Sequence, residues 1–196
     1  ERYGTFDKEK SLTLVWIGSK STSRYLEQHR QVLSAIAHRV PSVRLKVIGD
    51  FQFDVDGMAV ECVEWNESLE NQELASAHIG IAPMLDDPWA RGKCALKVIQ
   101  YMAAGLPVVS SDVGANSDVV IDGKTCFLVN SPDSWCDAVE KLVASEELRT
   151  SMGAAGRRKV EENHGEELVA TRAIHLLDIA RTGKVNTAQG HPSVGS

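Results

Sequence analysis

The chain has 196 residues, 43% hydrophobic and 24% charged, which is enough for one packed core and excludes wholesale disorder. Twenty-one basic residues against 27 acidic ones give a net charge of −6, so no general attraction to nucleic acid or anionic lipid is expected. No apolar run reaches the roughly 18 residues of a membrane span. The cysteines at 62, 94, 126 and 136 lack the C-x-x-C spacing of a metal or redox site, so reduced thiols in a cytoplasmic protein are expected. The chain opens at Glu1 without a Met, which suits an excised fragment.

Residues 1–10 are polar and aperiodic and read as a linker. Leu12-Thr-Leu-Val-Trp-Ile17 is strand-like and ends at Gly18. Apolar residues then recur at three-to-four spacing over 25–37, an amphipathic helix that Pro41 stops. Val43-Arg-Leu-Lys-Val-Ile48 and Ala59-Val-Glu-Cys-Val63 read as further strands, 69–76 as a short helix and 79–84 as a fourth strand. A loop rich in Asp, Pro and Gly spans 85–92, and a helix over 93–104 ends at Gly105 and Pro107. Val108-Val109 and 126–129 are short strands. Ser131-Pro132 opens the next helix with proline at its first position, helices are expected over 147–162 and 166–180, and 183–196 read as a disordered tail. Strands alternating with helices predict an α/β domain over 11–182, a Rossmann-like parallel sheet with helices on both faces. Ligands of such sheets bind outside the carboxyl ends of the strands, here the loops after Ile17, Val63, Met84 and Val109.

The turn 18–24 brings Gly18, Ser19 and the cations Lys20 and Arg24 to the start of a helix, where backbone amides favour phosphate. An ordinary capped turn explains the same hydroxyls. It is not a Walker loop, and no Gly-x-Gly-x-x-Gly follows the first strand, which disfavours a dinucleotide cofactor. In the stretch after Arg91, Gly92 frees the backbone, Lys93, Cys94 and Ala95 open a helix, and Lys97 and Gln100 follow on its next turns. Two helix-end sites suit a diphosphate; a solvated basic face is the alternative reading of the lysines. Asp86-Asp87 reads better as a solvated acidic turn than as a metal pair. His29 and His175 are expected to be partly buried in helices, and no histidine spacing suggests a metal.

Met102-Ala-Ala-Gly-Leu-Pro-Val-Val109 resembles the signature of the C-terminal domain of GT-B glycosyltransferases of the group-one, family-four clan. The likeness continues through Ser110-Ser-Asp-Val-Gly-Ala-Asn-Ser-Asp-Val-Val120, Asp122-Gly-Lys-Thr-Cys-Phe-Leu-Val129 and the Met152-Gly-Ala-Ala-Gly-Arg157 stretch, collinearly over nearly the whole chain. Two glutamates usual in the clan fall on Gly92 and Gln100, and the usual Gly-Arg of the first loop is Gly18-Ser19. Gln100 carries both a donor and an acceptor for a ribose hydroxyl.

The resemblance implies the donor-binding half of a retaining glycosyltransferase, working without a metal or other cofactor. Its ligand would be a UDP- or GDP-linked sugar, with the diphosphate between the 18–24 loop and the Lys93 helix. Main-chain groups of Val63 and Glu64 would meet the base, with Trp65 beside it as stacking platform or packing residue; Trp89 would line the sugar pocket. The acceptor would sit mainly on a missing N-terminal domain of the same chain, through which peripheral contact with the inner membrane face would arise, and this half alone would be inactive. No catalytic residue is assigned. A degenerate, non-catalytic nucleotide-sugar-binding module is the alternative, supported by the two lost acids. A flavodoxin-like or receiver-type domain is a third reading; a receiver is disfavoured because Gly18-Ser-Lys20 stands where it needs an acidic cluster.

Overall fold

In the computed structural model the described residues are 11–164. The expected linker (1–10), the helix over 166–180 with His175, and the tail (183–196) lie outside them. The chain divides into two compact units, Glu1–Val160 and Glu161–Ser196; the sheet lies in the first.

The strands are β1 (Leu12–Ile17), β2 (Val43–Ile48), β3 (Ala59–Val63), β4 (Ile79–Ala82), β5 (Val108–Ser111) and β6 (Cys126–Val129). The helices are α1 (Ser23–Gln28), α2 (Arg30–Arg39), α3 (Glu70–Ala75), α4 (Pro88–Arg91), α5 (Leu96–Ala103), α6 (Ala115–Val119), α7 (Pro132–Ala144) and α8 (Glu146–His164). All neighbouring strands pair in parallel, in the order β3-β2-β1-β4-β5-β6. The strand order reverses between β1 and β4, and a crevice opens there at the carboxyl ends.

Alternation along each strand divides the core. Leu14 and Trp16 point to one face, with Leu33 and Ile36 of α2 and Trp135, Val139 and Leu142 of α7. Val15 and Ile17 point to the other, with Leu74 of α3 and Val98, Tyr101 and Met102 of α5. Each such fully buried side chain contributes about 1.5–3 kcal/mol of transfer free energy before entropy is charged against it. Cys126 is fully buried, whereas Cys62, expected in the core, is half-buried with its Sγ against the Phe53 backbone.

The structure departs from expectation within two expected helices and adds two short ones. The helix expected over 25–37 breaks at His29, whose backbone φ of −96° and ψ of 8° ends α1 and precedes α2. Part of the expected loop 85–92 is the short helix α4, with the Asp87 carboxylate accepting from the Ala90 amide at 2.6 Å and Pro88 at the first position. Helix α6 was not anticipated. The helix expected from Lys93 begins at Leu96, because Ala95 turns left-handed at φ 55° and ψ 28°. α8 bears out the helix expected over 147–162. Its Gly153 packs on the turn after α5, where a Cβ would overlap the Gly105 carbonyl oxygen.

Candidate functional site

A cleft of about 590 Å³ lies at the carboxyl ends of the strands. Ile17 and Gly18 end β1 at its floor, Asp50 follows β2, Trp65 follows β3, Pro83 and Met84 follow β4, and Asn116 follows β5. The Tyr101 hydroxyl accepts from the Ile17 amide at 3.0 Å, which ties α5 to the end of β1; complete burial pushes its phenol up. A Cβ on Gly18 would lie 2.5 Å from Trp16 Cη2, so the loop passes over the indole only as glycine.

Among the described residues no acceptor is paired with the amides of Leu96, Lys97 and Val98 at the start of α5, and Leu96 and Lys97 line the cleft. A left-handed alanine costs about 1 kcal/mol or more, a strain typical of ligand sites. Lys93 and Lys97 both line the cleft, and neither is paired with a carboxylate among the described residues. The Lys93 ammonium lies 5.8 Å from the Tyr25 ring centroid and 5.6 Å from that of Trp89. The Lys97 ammonium lies 5.3 Å from the Trp16 ring. Burial, and after it the neighbouring Lys93 charge, pulls Lys97 down from 10.5 to about 8. One end of the cleft is therefore strongly positive.

Gly18, Ser19, Trp65, Lys93, Cys94, Ala95, Lys97 and Gln100 all line this cleft; Lys20, Arg24, Val63 and Glu64 do not. Lys20 is exposed on the loop. Arg24 is engaged elsewhere, donating to the Tyr25 hydroxyl at 2.8 Å and to Asp87 at 3.4 Å. The Val63 carbonyl accepts from the Gly49 amide at 2.9 Å, so it is held by the sheet. The hydroxyls of the 18–24 loop serve the turn: Thr22 donates to the Ser19 carbonyl, Ser23 to that of Lys20, and Ser19 pairs with Ser21. The turn half of the capped-turn reading accounts for them; the cap does not, because no side chain caps α1 at Thr22. Asp86 pairs with Arg91, which lowers its carboxyl below the usual range, and Asp87 caps α4, so the acidic pair is a structural turn. Trp89 is 69% exposed at α4 and lies beside Lys93 rather than in the cleft wall. Among the described residues no group of three His, Cys, Asp or Glu side chains is placed to hold a metal ion.

Glu70 was not foreseen. From the first position of α3 its Oε2 accepts from Trp65 Nε1 at 2.7 Å and its Oε1 from Gln100 Nε2 at 2.7 Å. Sequence offers no local signal for this, because the carboxylate stands 30 residues from the amide it meets. Thr22 of the expected 18–24 loop lines the cleft, and Asp50, Tyr25 and Asn116 do so unannounced.

The sheet order, the crevice and the α5 terminus define a Rossmann-like α/β domain of the GT-B C-terminal type. A structure of the C-terminal domain of a glycosyl transferase group 1 family protein from Francisella tularensis shares this fold. Its TM-score is 0.62 at 14% identity, over 82% of this chain and 90% of that one. An Anabaena protein, HepE, solved with UDP and glucose, gives a TM-score of 0.64 at 14% identity, over 84% of this chain and 48% of its own. A model of the family described as glycosyl transferases group 1 matches residues 9–145, and the chain belongs to that family. A GDP-mannose-dependent alpha-(1-6)-phosphatidylinositol monomannoside mannosyltransferase of Mycolicibacterium smegmatis is 26% identical over 200 residues, 94% of this chain and 51% of the relative. The chain spans between 14% and 51% of the length of the curated relatives compared with it. No helix among the described residues is long and apolar enough to cross a membrane.

Proposed function

We propose that the chain is the donor-binding half of a retaining glycosyltransferase whose donor is a UDP- or GDP-linked sugar. The observation that carries this is the positive end of the cleft: the amides of Leu96 and Lys97 at the start of α5, without acceptors among the described residues, beside two lysines without carboxylate partners. A diphosphate is the ligand that satisfies all of them together. When the bond between the sugar's anomeric carbon and the diphosphate oxygen breaks, the electron pair leaves with the nucleoside diphosphate. Preorganised amides and ammonium groups stabilise that growing charge. The acceptor would be bound mainly by an N-terminal domain, in keeping with the share of its relatives that this chain spans. Without that domain no acceptor is positioned, so transfer by this half alone would be negligible.

Two relatives support the donor class: the Mycolicibacterium enzyme is named as GDP-mannose-dependent, and the Anabaena protein was solved with UDP. Titration calorimetry with UDP and GDP, with and without EDTA, tests the reading. Binding of one of them unaffected by EDTA is expected, and no binding of either at millimolar ligand refutes it. A non-catalytic donor-binding module is the second reading. Gly92 favours it, since it lines the cleft without a side chain where the resemblance places an acid.

A further inference from the structure

Building on the nucleotide reading above, we infer that Glu70, held by Trp65 and Gln100, binds the vicinal diol of the donor's ribose. The cleft has two chemically opposite ends. The amides of α5, Lys93 and Lys97 form a donor end. Glu70 and Gln100 form the other, and it presents acceptors. A carboxylate only accepts, so the atom of Gln100 facing it is Nε2, and one of its two N–H donors is used. The Gln100 Oε1 has no donor among the described residues, and the carboxylate keeps lone pairs beyond the two that Trp65 and Gln100 fill. A surface of clustered acceptors repels phosphate and suits a group rich in O–H donors.

The spacing fits one ligand spanning both ends. Gln100 stands four residues past Leu96, about 6 Å along the α5 axis at 1.5 Å per residue. A nucleotide with its diphosphate at the first turn of α5 would bring its sugar ring beside Gln100.

Asp50 is the other carboxylate in the cleft wall, but it is exposed and no side-chain donor among the described residues fixes it. Glu70 is held by two N–H donors on a helix that is itself anchored. Lys46, buried on β2, donates to Glu73 at 2.6 Å and to Ser76 at 2.8 Å, which locks α3 to the sheet. A carboxylate with its rotamer set in advance loses little entropy when it binds. The same bond pins the Trp65 indole beside the diol position. The arrangement also gives Gln100 a reason to be neutral, since a carboxylate at position 100 would face Glu70 at hydrogen-bonding distance.

The test titrates the 196-residue chain with UDP, GDP and their 2′,3′-dideoxy counterparts. The wild type should prefer the ribonucleotide by about ten- to a hundredfold, the range of a hydrogen bond to a charged group. Glu70→Gln should abolish that preference and leave binding of the dideoxy compound unchanged. The double variant Glu70→Gln/Gln100→Glu should restore it. In that variant the new amide at position 70 still accepts from Trp65 and donates to the new carboxylate at position 100. Equal binding of ribo and dideoxy forms by the wild type overturns the assignment. So does an equal loss of both forms in Glu70→Gln, which marks a structural role, or a double variant that fails to recover the preference. Failure to bind any of the four compounds overturns the nucleotide reading itself.

Discussion

Replacing Lys97 with methionine should make the protein more stable and a poorer binder at once. The fall of the ammonium from 10.5 to about 8 corresponds to about 3 kcal/mol of penalty on the charged form. Lys97 is only partly buried, and solvent screening reduces that to about 2 kcal/mol. The ammonium also gains about 0.5–1 kcal/mol from the Trp16 ring, a contact that a methionine thioether partly keeps. The net gain for Lys97→Met is thus about 1–2 kcal/mol at pH 7, or about 2–8 °C in melting temperature for a unit of this size. The sign depends on pH. The folded value lies below the unfolded one, so between about 8 and 10.5 the unfolded chain binds more protons, and wild-type stability rises with pH there. The advantage of the variant is full below pH 8 and vanishes as pH passes 10.5. Circular-dichroism melts of both proteins at pH 7 and pH 10.5, with calorimetry of UDP and GDP at pH 7, read both effects. A tenfold or greater loss of affinity is expected for a lost charge-assisted contact. A lower melting temperature at pH 7 would refute the desolvation argument, and unchanged affinity would remove Lys97 from the diphosphate site.

Lys93→Ala should cost about ten- to a hundredfold in nucleoside-diphosphate affinity, while Lys141→Ala on α7, whose ammonium lies 5.8 Å from the Phe127 ring, should leave affinity unchanged; calorimetry on both, with melts as control, checks this. Stability should fall as pH drops below 6.5, because burial depresses both His29 and His78, and Arg149 and Arg44 depress His78 further. His78 Nδ1 accepts from the Thr13 amide at 3.0 Å and loses that capacity on protonation; urea midpoints at pH 7 and pH 5 measure the loss, and His78→Asn should reduce it to the part that His29 contributes. Gly153→Ala should destabilise by about 1–3 kcal/mol through overpacking against the Gly105 carbonyl, read as a lowered urea midpoint at unchanged slope.

Legibility followed the range of the interaction. All six strands could be read because period and composition are local properties. The stop of α5 was readable from Gly105 and Pro107, and Gly153 and Gly156 could be matched to a known motif before their contacts with Gly105 and Met102 explained them. The capping of α4 is also legible, since Asp87-Pro88 is an N-cap followed by proline at the first position. The shift of the α5 start from Lys93 to Leu96 was not readable, because alanine carries no signal for the left-handed conformation Ala95 adopts.

The lysines of the cleft were found because both lie within a turn of a helix start that the sequence places only three residues early, whereas Glu70 depends on three separate elements meeting. β3 must end at Val63 to bring Trp65 forward, Lys46 must hold α3 through Glu73, and α5 must turn Gln100 towards Glu70. That dependence has a consequence for ligand direction. The donor end belongs to α5 and its lysines, while the acceptor end needs α3 as well, and the two lie about four residues apart along one helix axis. A ligand with an anion at one end and hydroxyls at the other is therefore favoured in a single direction, because reversing it sets phosphate against Glu70 and leaves Lys93 and Lys97 without a counter-charge.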